Sequence, residues 1–199
     1  MVKPIVLLDF DGTLYRKDSL ITFHLFCLCK YPILIIWIPF QVICWLLHLG
    51  KLISSQQFKN VYMLFLSFRS VETIEEDAAA FWKQEFPRKF NLKLLELLHN
   101  PEENYVIITA SPIVYIKPLL QLLPLITLIG TEVKDINGFY VIDGKNCKGK
   151  EKIVAFRKKF PHPTTITKAY SDNHTDKPML ELAQNAFLVN GDLITPYSS

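Results

Sequence analysis

The chain has 199 residues, half of them hydrophobic, and a formal net charge of only +3; that length builds one core, or one domain carrying a smaller insertion. So mild a charge, with no Lys/Arg stripe interleaved with aromatics, argues against nucleic acid as a partner. The four cysteines, Cys27, Cys29, Cys44 and Cys147, form no zinc-like Cys-x-x-Cys pair, and three lie in an apolar stretch. They read as buried free thiols in a reducing compartment. The first apolar run is interrupted by Asp9 and Asp11, unlike a signal peptide, so a cytoplasmic location is expected.

Ile5–Asp9 predicts a strand buried on both faces, and it runs straight into Asp9 and Asp11 before Gly12 and Thr13 turn the chain. Carboxylates two apart share one side of an extended backbone. Both therefore face the crevice beyond the carboxyl end of a strand, where open α/β sheets bind ligands. Such a pair suits Mg²⁺, a hard cation, with one carboxylate free to attack and the other to move protons. An isolated Asp-x-Asp is equally consistent with an acidic turn, so later residues must decide.

Residues 10–104 read as helical throughout, too long a stretch for a simple crossover and therefore an inserted cap. Ser19–Cys29 carries Leu20, Phe23 and Phe26 among other apolar residues. Tyr31–Gly50 contains no formal charge, which is the length of a bilayer span. A single crossing conflicts with the chemistry, because Asp9 and Asp11 precede this segment whereas Thr109, Lys152, Asp172 and Asp176 follow it. The segment must enter and leave on one face, lie in the interface as a monotopic anchor on the inner membrane face, or pack within a self-contained or dimerising cap. Pro39 offers a bend; Trp37 and Trp45 fit interface and core equally. Ser54 with Gln57 predicts a capped helix to about Phe68, Thr73 with Glu76 another to Pro87, and Asn91–His99 a third.

Further strands are predicted at Tyr105–Thr109, Leu125–Ile129, Thr164–Ala169 and Ala186–Val189, with helical patterns between most of them. Together with the first they form a parallel sheet. Thr131–Lys134 and Phe139–Asp143 flank Asn137-Gly138, a type I′ hairpin signal. Thr109 ends its strand in a hydroxyl that could meet a phosphate alongside backbone N–H groups, although a local cap is the commoner role. Cys147–Lys152 opens a helix through Phe160, and Lys152 near its N-terminus demands an anionic partner. The surrounding Lys145, Lys148, Lys150, Arg157, Lys158 and Lys159 read as a solvated basic face, or as one that meets anionic lipid. Asp172 and Asp176 follow another strand, and one of them could complete a magnesium shell. His174 reads as an exposed loop residue.

In order and spacing, Asp9/Asp11, Thr109, Lys152 and Asp172/Asp176 resemble the four motifs of the haloacid dehalogenase superfamily. The long helical insertion resembles the C1 cap of its phosphoserine phosphatase-like branch. Cys147-x-Gly149-x-Glu151-Lys152, Tyr170-Ser171-Asp172, Asp176-x-Pro178-x-Leu180 and the apolar cap are similar to the membrane-associated C-type phosphatidylglycerophosphate phosphatases. The resemblance implies an α/β Rossmannoid core over residues 1–17 and 101–199 and a helical, apolar cap over residues 18–100. It implies a Mg²⁺-dependent phosphatase working through an aspartyl phosphate on Asp9, with Asp11 as acid and base. Mg²⁺ would be held by Asp9, the Asp11 carbonyl and Asp172. Thr109, Ala110 and Lys152 would bind the phosphoryl group, supported by Asp176 and Thr13. Ser171 departs from the glycine common before the last motif. Asp18 falls where phosphoserine phosphatases read substrate with a glutamate, but their carboxylate-holding arginine has no clear counterpart; Lys59 is the nearest basic residue. The expected substrate is a lipid or amphiphilic phosphate. The alternatives are a soluble small-metabolite phosphatase, a phosphotransferase, and a non-catalytic membrane or partner-binding module.

Overall fold

In the computed structural model, which describes residues 3–123 and 125–197, strand β1 (Ile5–Leu8) lies at the centre of a six-stranded sheet. Its neighbours are β2 (Asn104–Pro112) and β6 (Ile166–Ser171). Outside them run β3 (Ile126–Thr131), β7 (Asn185–Asn190) and β8 (Leu193–Pro196), in the order β3-β2-β1-β6-β7-β8. All pairings are parallel except β7 with β8. The four residues of β1 are all buried because both faces of the sheet are covered. Val6 and Leu8 pack into the cluster shared with the helical insertion, while Ile5 and Leu7 pack on the opposite face with Phe156, Met179 and Leu180. Those three come from α7 (Lys150–Lys159) and α8 (Lys177–Leu180). The terminal hairpin that adds β8 was not foreseen: four residues ending in Pro196 give little pattern to read.

The predicted strands are present with ends moved by one or more residues. Leu125 is outside β3, and β2 runs three residues past Thr109. Two strands, β4 (Val133–Ile136) and β5 (Phe139–Ile142), form a separate antiparallel hairpin, with Thr131 given up to β3. Asn137 and Gly138 both have positive φ, 55° and 87°, as a type I′ turn requires.

Between β1 and β2 the insertion comprises α1 (Ser19–Lys30), α2 (Ile38–Leu49), α3 (Ser55–Tyr62), α4 (Val71–Glu85) and α5 (Leu92–Leu97), with 3₁₀ turns at Pro32–Trp37 and Met63–Leu66. The Ser54/Gln57 capping box is formed, but α3 ends at Tyr62 rather than near Phe68, which has φ 59°. The cap of α4 is Ser70, whose hydroxyl accepts the Thr73 N–H at 3.2 Å, so the helix starts one turn before the expected Thr73. Asn91 caps α5 as its position suggests. Phe10, Tyr15, Trp82 and Phe90 pack together, mostly edge to face, where the insertion meets the sheet, with centroids 5.4–6.2 Å apart. Their aromatic area anchors the insertion to the loop after β1.

Residues Pro32–Leu49 form one stretch long and apolar enough to cross a membrane, yet only 11% of it is buried. The segment therefore does not pack inside the insertion. Pro39 does not bend a continuous helix: it sits in the first turn of α2, where its missing N–H costs nothing. Ile33, Ile36, Phe40, Ile43 and Leu46 are each half exposed or more. The cysteines are all free, but only Cys27 and Cys147 are buried; Cys29 is exposed and Cys44 half-buried, since α1 and the outward-facing α2 leave them at the surface.

Candidate active site

The crevice lies at the carboxyl end of β1. The Asp9 N–H is held by the Tyr170 carbonyl at 2.9 Å, which fixes the strand end against β6. Asp9 is almost fully buried and forms an ion pair with Lys152, whose ammonium also meets Asp176 at 2.5 Å. Lys152 projects from the first turn of α7, where its charge opposes the helix dipole. The two buried carboxylates provide the anionic partner that position demands. Burial pulls the Lys152 amine down, but Asp9 and Asp176 outweigh it and hold the group above its ordinary range. Burial raises Asp9, with Lys152 opposing and Asp176 and Asp11 adding.

Thr13 links the first and last motifs. Its hydroxyl donates to Asp9 (3.1 Å) with a longer contact to Asp172 (3.4 Å), and accepts the Asp172 N–H at 2.8 Å. Gly12 has φ +76°, and a Cβ there would lie 2.2 Å from Asp172 Oδ2. Only glycine allows the two loops to approach this closely. Ser171, a departure in sequence, has a local role: its buried hydroxyl donates to Asp176 at 3.0 Å and accepts the Asn173 N–H at 3.1 Å.

Asp11 turns to the other wall. One carboxylate oxygen accepts the Ser19 N–H at 2.7 Å, and the other accepts the Ser111 hydroxyl at 2.6 Å and that of Thr109 at 3.3 Å. Burial raises its pKa, and the hydroxyls of Ser111 and Ser19 oppose the rise. Sequence reasoning assigned no role to Ser19 or Ser111. Ser111 was legible only as the residue two after Thr109, sharing its side of the strand.

Asp18 caps α1, accepting the Ile21 N–H at 3.0 Å, and also borders the crevice. His174 is exposed, as expected. Ala110 is brought in through its carbonyl, which accepts from Lys59 Nζ at 2.5 Å and from the Thr131 hydroxyl. The crevice of about 820 Å³ is bordered by all these aspartates, by Lys59 and Lys148, and by Ile21, Trp45 and His48.

The donor set fits a hard divalent cation. Asp9, Asp11, Asp172 and Asp176 outnumber the two enclosed ammonium groups of the crevice, Lys152 and Lys59. Burial of its carboxylate, then the charge of Asp9, pushes Asp172 up to about 6. Among the described residues no three Cys, His, Asp or Glu side chains close a metal cage. An ion such as Mg²⁺, which keeps several waters and takes few carboxylates, is the kind such a set can hold.

The model of the haloacid dehalogenase-like hydrolases matches residues 6–181. The chain belongs to this family. Protein CicA of Caulobacter vibrioides is 29% identical over 194 residues, covering 90% of this haloacid dehalogenase-like chain and 82% of CicA. A protein of unknown function from Bordetella pertussis Tohama I superposes with TM-score 0.76 at 16% identity, covering 94% of this chain and 89% of that one. A phosphoserine phosphatase held as a phospho-aspartyl intermediate analogue gives TM-score 0.53 at 13% identity, covering 94% and 86%. These likenesses extend the hydrolase fold across the insertion as well as the sheet.

Proposed function

We propose that this haloacid dehalogenase-like hydrolase is a Mg²⁺-dependent phosphomonoesterase for a lipid or other amphiphilic phosphate presented at a membrane surface, of the kind phosphatidylglycerophosphate exemplifies. The observation that carries this reading is the continuity of two features: the aspartate crevice is lined in part by Trp45, which belongs to an apolar segment of which only 11% is buried. An apolar surface of that extent, unpartnered among the described residues, fits a bilayer interface. Residues 18–100 act as a C1-type cap and residues 1–17 and 101–199 as the catalytic core.

The Asp9 carboxylate attacks phosphorus, forming an aspartyl phosphate as the bond to the leaving alcohol breaks. Asp11 protonates the departing oxygen, a role supported by the upward shift that burial gives it. It then takes the proton from the water that attacks the same phosphorus, and inorganic phosphate leaves with Asp9 restored. Lys152 orients Asp9 and offsets phosphoryl charge, with Asp176 and Ser171 fixing its position. Thr109 and the backbone at Ala110 meet the phosphoryl oxygens. Mg²⁺, held by Asp9, the Asp11 carbonyl and Asp172, would neutralise charge on the transferring group.

The test is phosphate release from phosphatidylglycerophosphate in mixed micelles, beside phosphoserine and a small generic monoester, with and without Mg²⁺. Expected is a preference for the lipid that EDTA abolishes, and a loss of at least 1000-fold in Asp9→Asn with the fold retained. Residual activity within about tenfold, roughly 1.4 kcal/mol of barrier, overturns the nucleophile assignment. Turnover of the small esters alone removes the lipid substrate.

A further inference from the structure

Lys59 is one of the charged groups lining the crevice that the proposed chemistry leaves unused. It comes from α3 of the insertion and reaches the core, where its ammonium donates to the Ala110 carbonyl at 2.5 Å and to Asn146 Oδ1 at 3.1 Å. Both partners are neutral. Among the described residues no carboxylate lies within ion-pair distance of it, whereas Lys152 in the same crevice has two. A lysine ammonium has three donors, so one remains for something else. Burial pushes the amine down to about 8, with Asp11 and Asp18 resisting and the nearby Lys148 adding to the fall. An enclosed ammonium without a counter-ion is costly unless an anion arrives to meet it.

We infer that Lys59 and Lys148 form a subsite for a second oxyanion on the substrate, a phosphodiester or carboxylate carried a few bonds from the scissile phosphomonoester. Both side chains border the crevice, and Lys59 is tied to Ala110, next to the proposed phosphoryl position at Thr109. Lys152 already faces Asp9, so Lys59 is placed for the remainder of the substrate rather than the reacting group. The inference rests on the phosphomonoesterase reading and deepens it, defining a substrate with two anionic centres.

The experiment compares three water-soluble monoesters on the full chain. These are glycerol 1-phosphate, 3-phosphoglycerate, and a short-chain phosphatidylglycerophosphate kept below its micelle concentration so that no bilayer contributes. The readout is the ratio of kcat/KM for each charged substrate to that for glycerol phosphate. Lys59→Met should lower the ratio at least tenfold, mainly through KM, and Lys59→Arg should keep it within about threefold. The substrate whose ratio falls further identifies the oxyanion. An unchanged ratio, or an equal fall in Lys59→Arg and Lys59→Met, overturns the subsite and makes Lys59 a tie between insertion and core. Lys148→Met gives the same test from another element should Lys59→Met fail to fold. Wild-type turnover of the monoesters with no preference for a second charge sinks the subsite alone; no release from any monoester sinks the phosphomonoesterase reading, and the subsite with it.

Discussion

The crevice and the outer face of the insertion break the ordinary distribution of side chains in opposite ways. At the carboxyl end of the central strand β1 four aspartates and the lysines Lys152 and Lys59 line one crevice, with Asp9, Lys152 and Asp176 almost fully buried. On Pro32–Leu49 large apolar side chains stand in solvent, with only Leu34 and Gln41 buried. The first departure is compensated in part within the chain, through the Lys152 pairs and the hydroxyls of Thr13, Ser111 and Ser171. The second has no compensation among the described residues. A buried charge that is paired specifies chemistry, whereas an apolar face left open specifies a partner.

Breaking the compensated region should have the largest effect. Lys152→Met leaves Asp9 and Asp176 buried without their cation, and a loss of about 3–5 kcal/mol in urea unfolding is expected. The double variant Lys152→Met/Asp9→Asn should recover part of that loss, since one stranded charge is removed with its partner. No recovery would mean that packing of the lysine stem, not its charge, holds the crevice together.

Breaking the uncompensated region should leave the fold alone and act on the partner. Ile43 and Leu46 are 57% and 56% exposed, so Ile43→Glu/Leu46→Glu should change stability by no more than about 1 kcal/mol. Binding to vesicles containing anionic lipid should fall by about 3 kcal/mol, roughly 100-fold, from two lost apolar insertions. Co-flotation measures it, and unchanged flotation would assign this face to another partner.

What the sequence made legible follows the same division. The Asp9/Asp11 strand, Lys152 and Asp172/Asp176 could be read because strand ends and a helix start carry local signals that the sheet then brings together. Lys59 was named only as the nearest basic residue, because 51 positions separate it from the Ala110 carbonyl it holds. Ser19 was lost inside an apolar helix pattern. Two capping boxes were proposed and one was misplaced, because Ser70-x-x-Thr73 overlaps Thr73-x-x-Glu76 and only the first closes a hydrogen bond to the backbone. The apolar run was evident from composition; that it would lie outside the core depends on what α1, α3 and α4 leave uncovered.

A smaller effect should come from His24, on α1. Its ring is buried and stacked on Phe65 at 4.3 Å, Nδ1 meets the Tyr62 hydroxyl at 3.3 Å, and Nε2 has no partner among the described residues. Burial lowers its pKa to about 4 from the ordinary 6.5. The unfolded chain therefore binds the proton more readily, so the stability is present above about pH 6.5 and is lost as pH falls toward 4. At pH 5 the loss is about 2 kcal/mol. Urea unfolding at pH 7 and pH 5 should show this component in wild type and not in His24→Gln. The crevice carboxylates titrate in both proteins and cancel in the difference, so equal pH dependence would refute the assignment.

The smallest effect should lie at the seam between insertion and hairpin. The Phe68 N–H donates to the Gly138 carbonyl at 2.7 Å, and the Ile142 N–H to Asn60 at 2.9 Å. The Tyr140 hydroxyl, buried, donates to the Arg69 carbonyl at 2.9 Å. Tyr140→Phe keeps the ring and removes that one bond, so the cost should be about 1 kcal/mol, seen as a fall in Tm of roughly 2–4 °C. The seam holds α3, and with it Lys59, against the core. If that coupling is mechanical, Tyr140→Phe should also raise KM for a substrate that uses Lys59 more than for one that does not. A fall in Tm with KM unchanged for both would mean that the remaining seam bonds suffice to hold α3 in place.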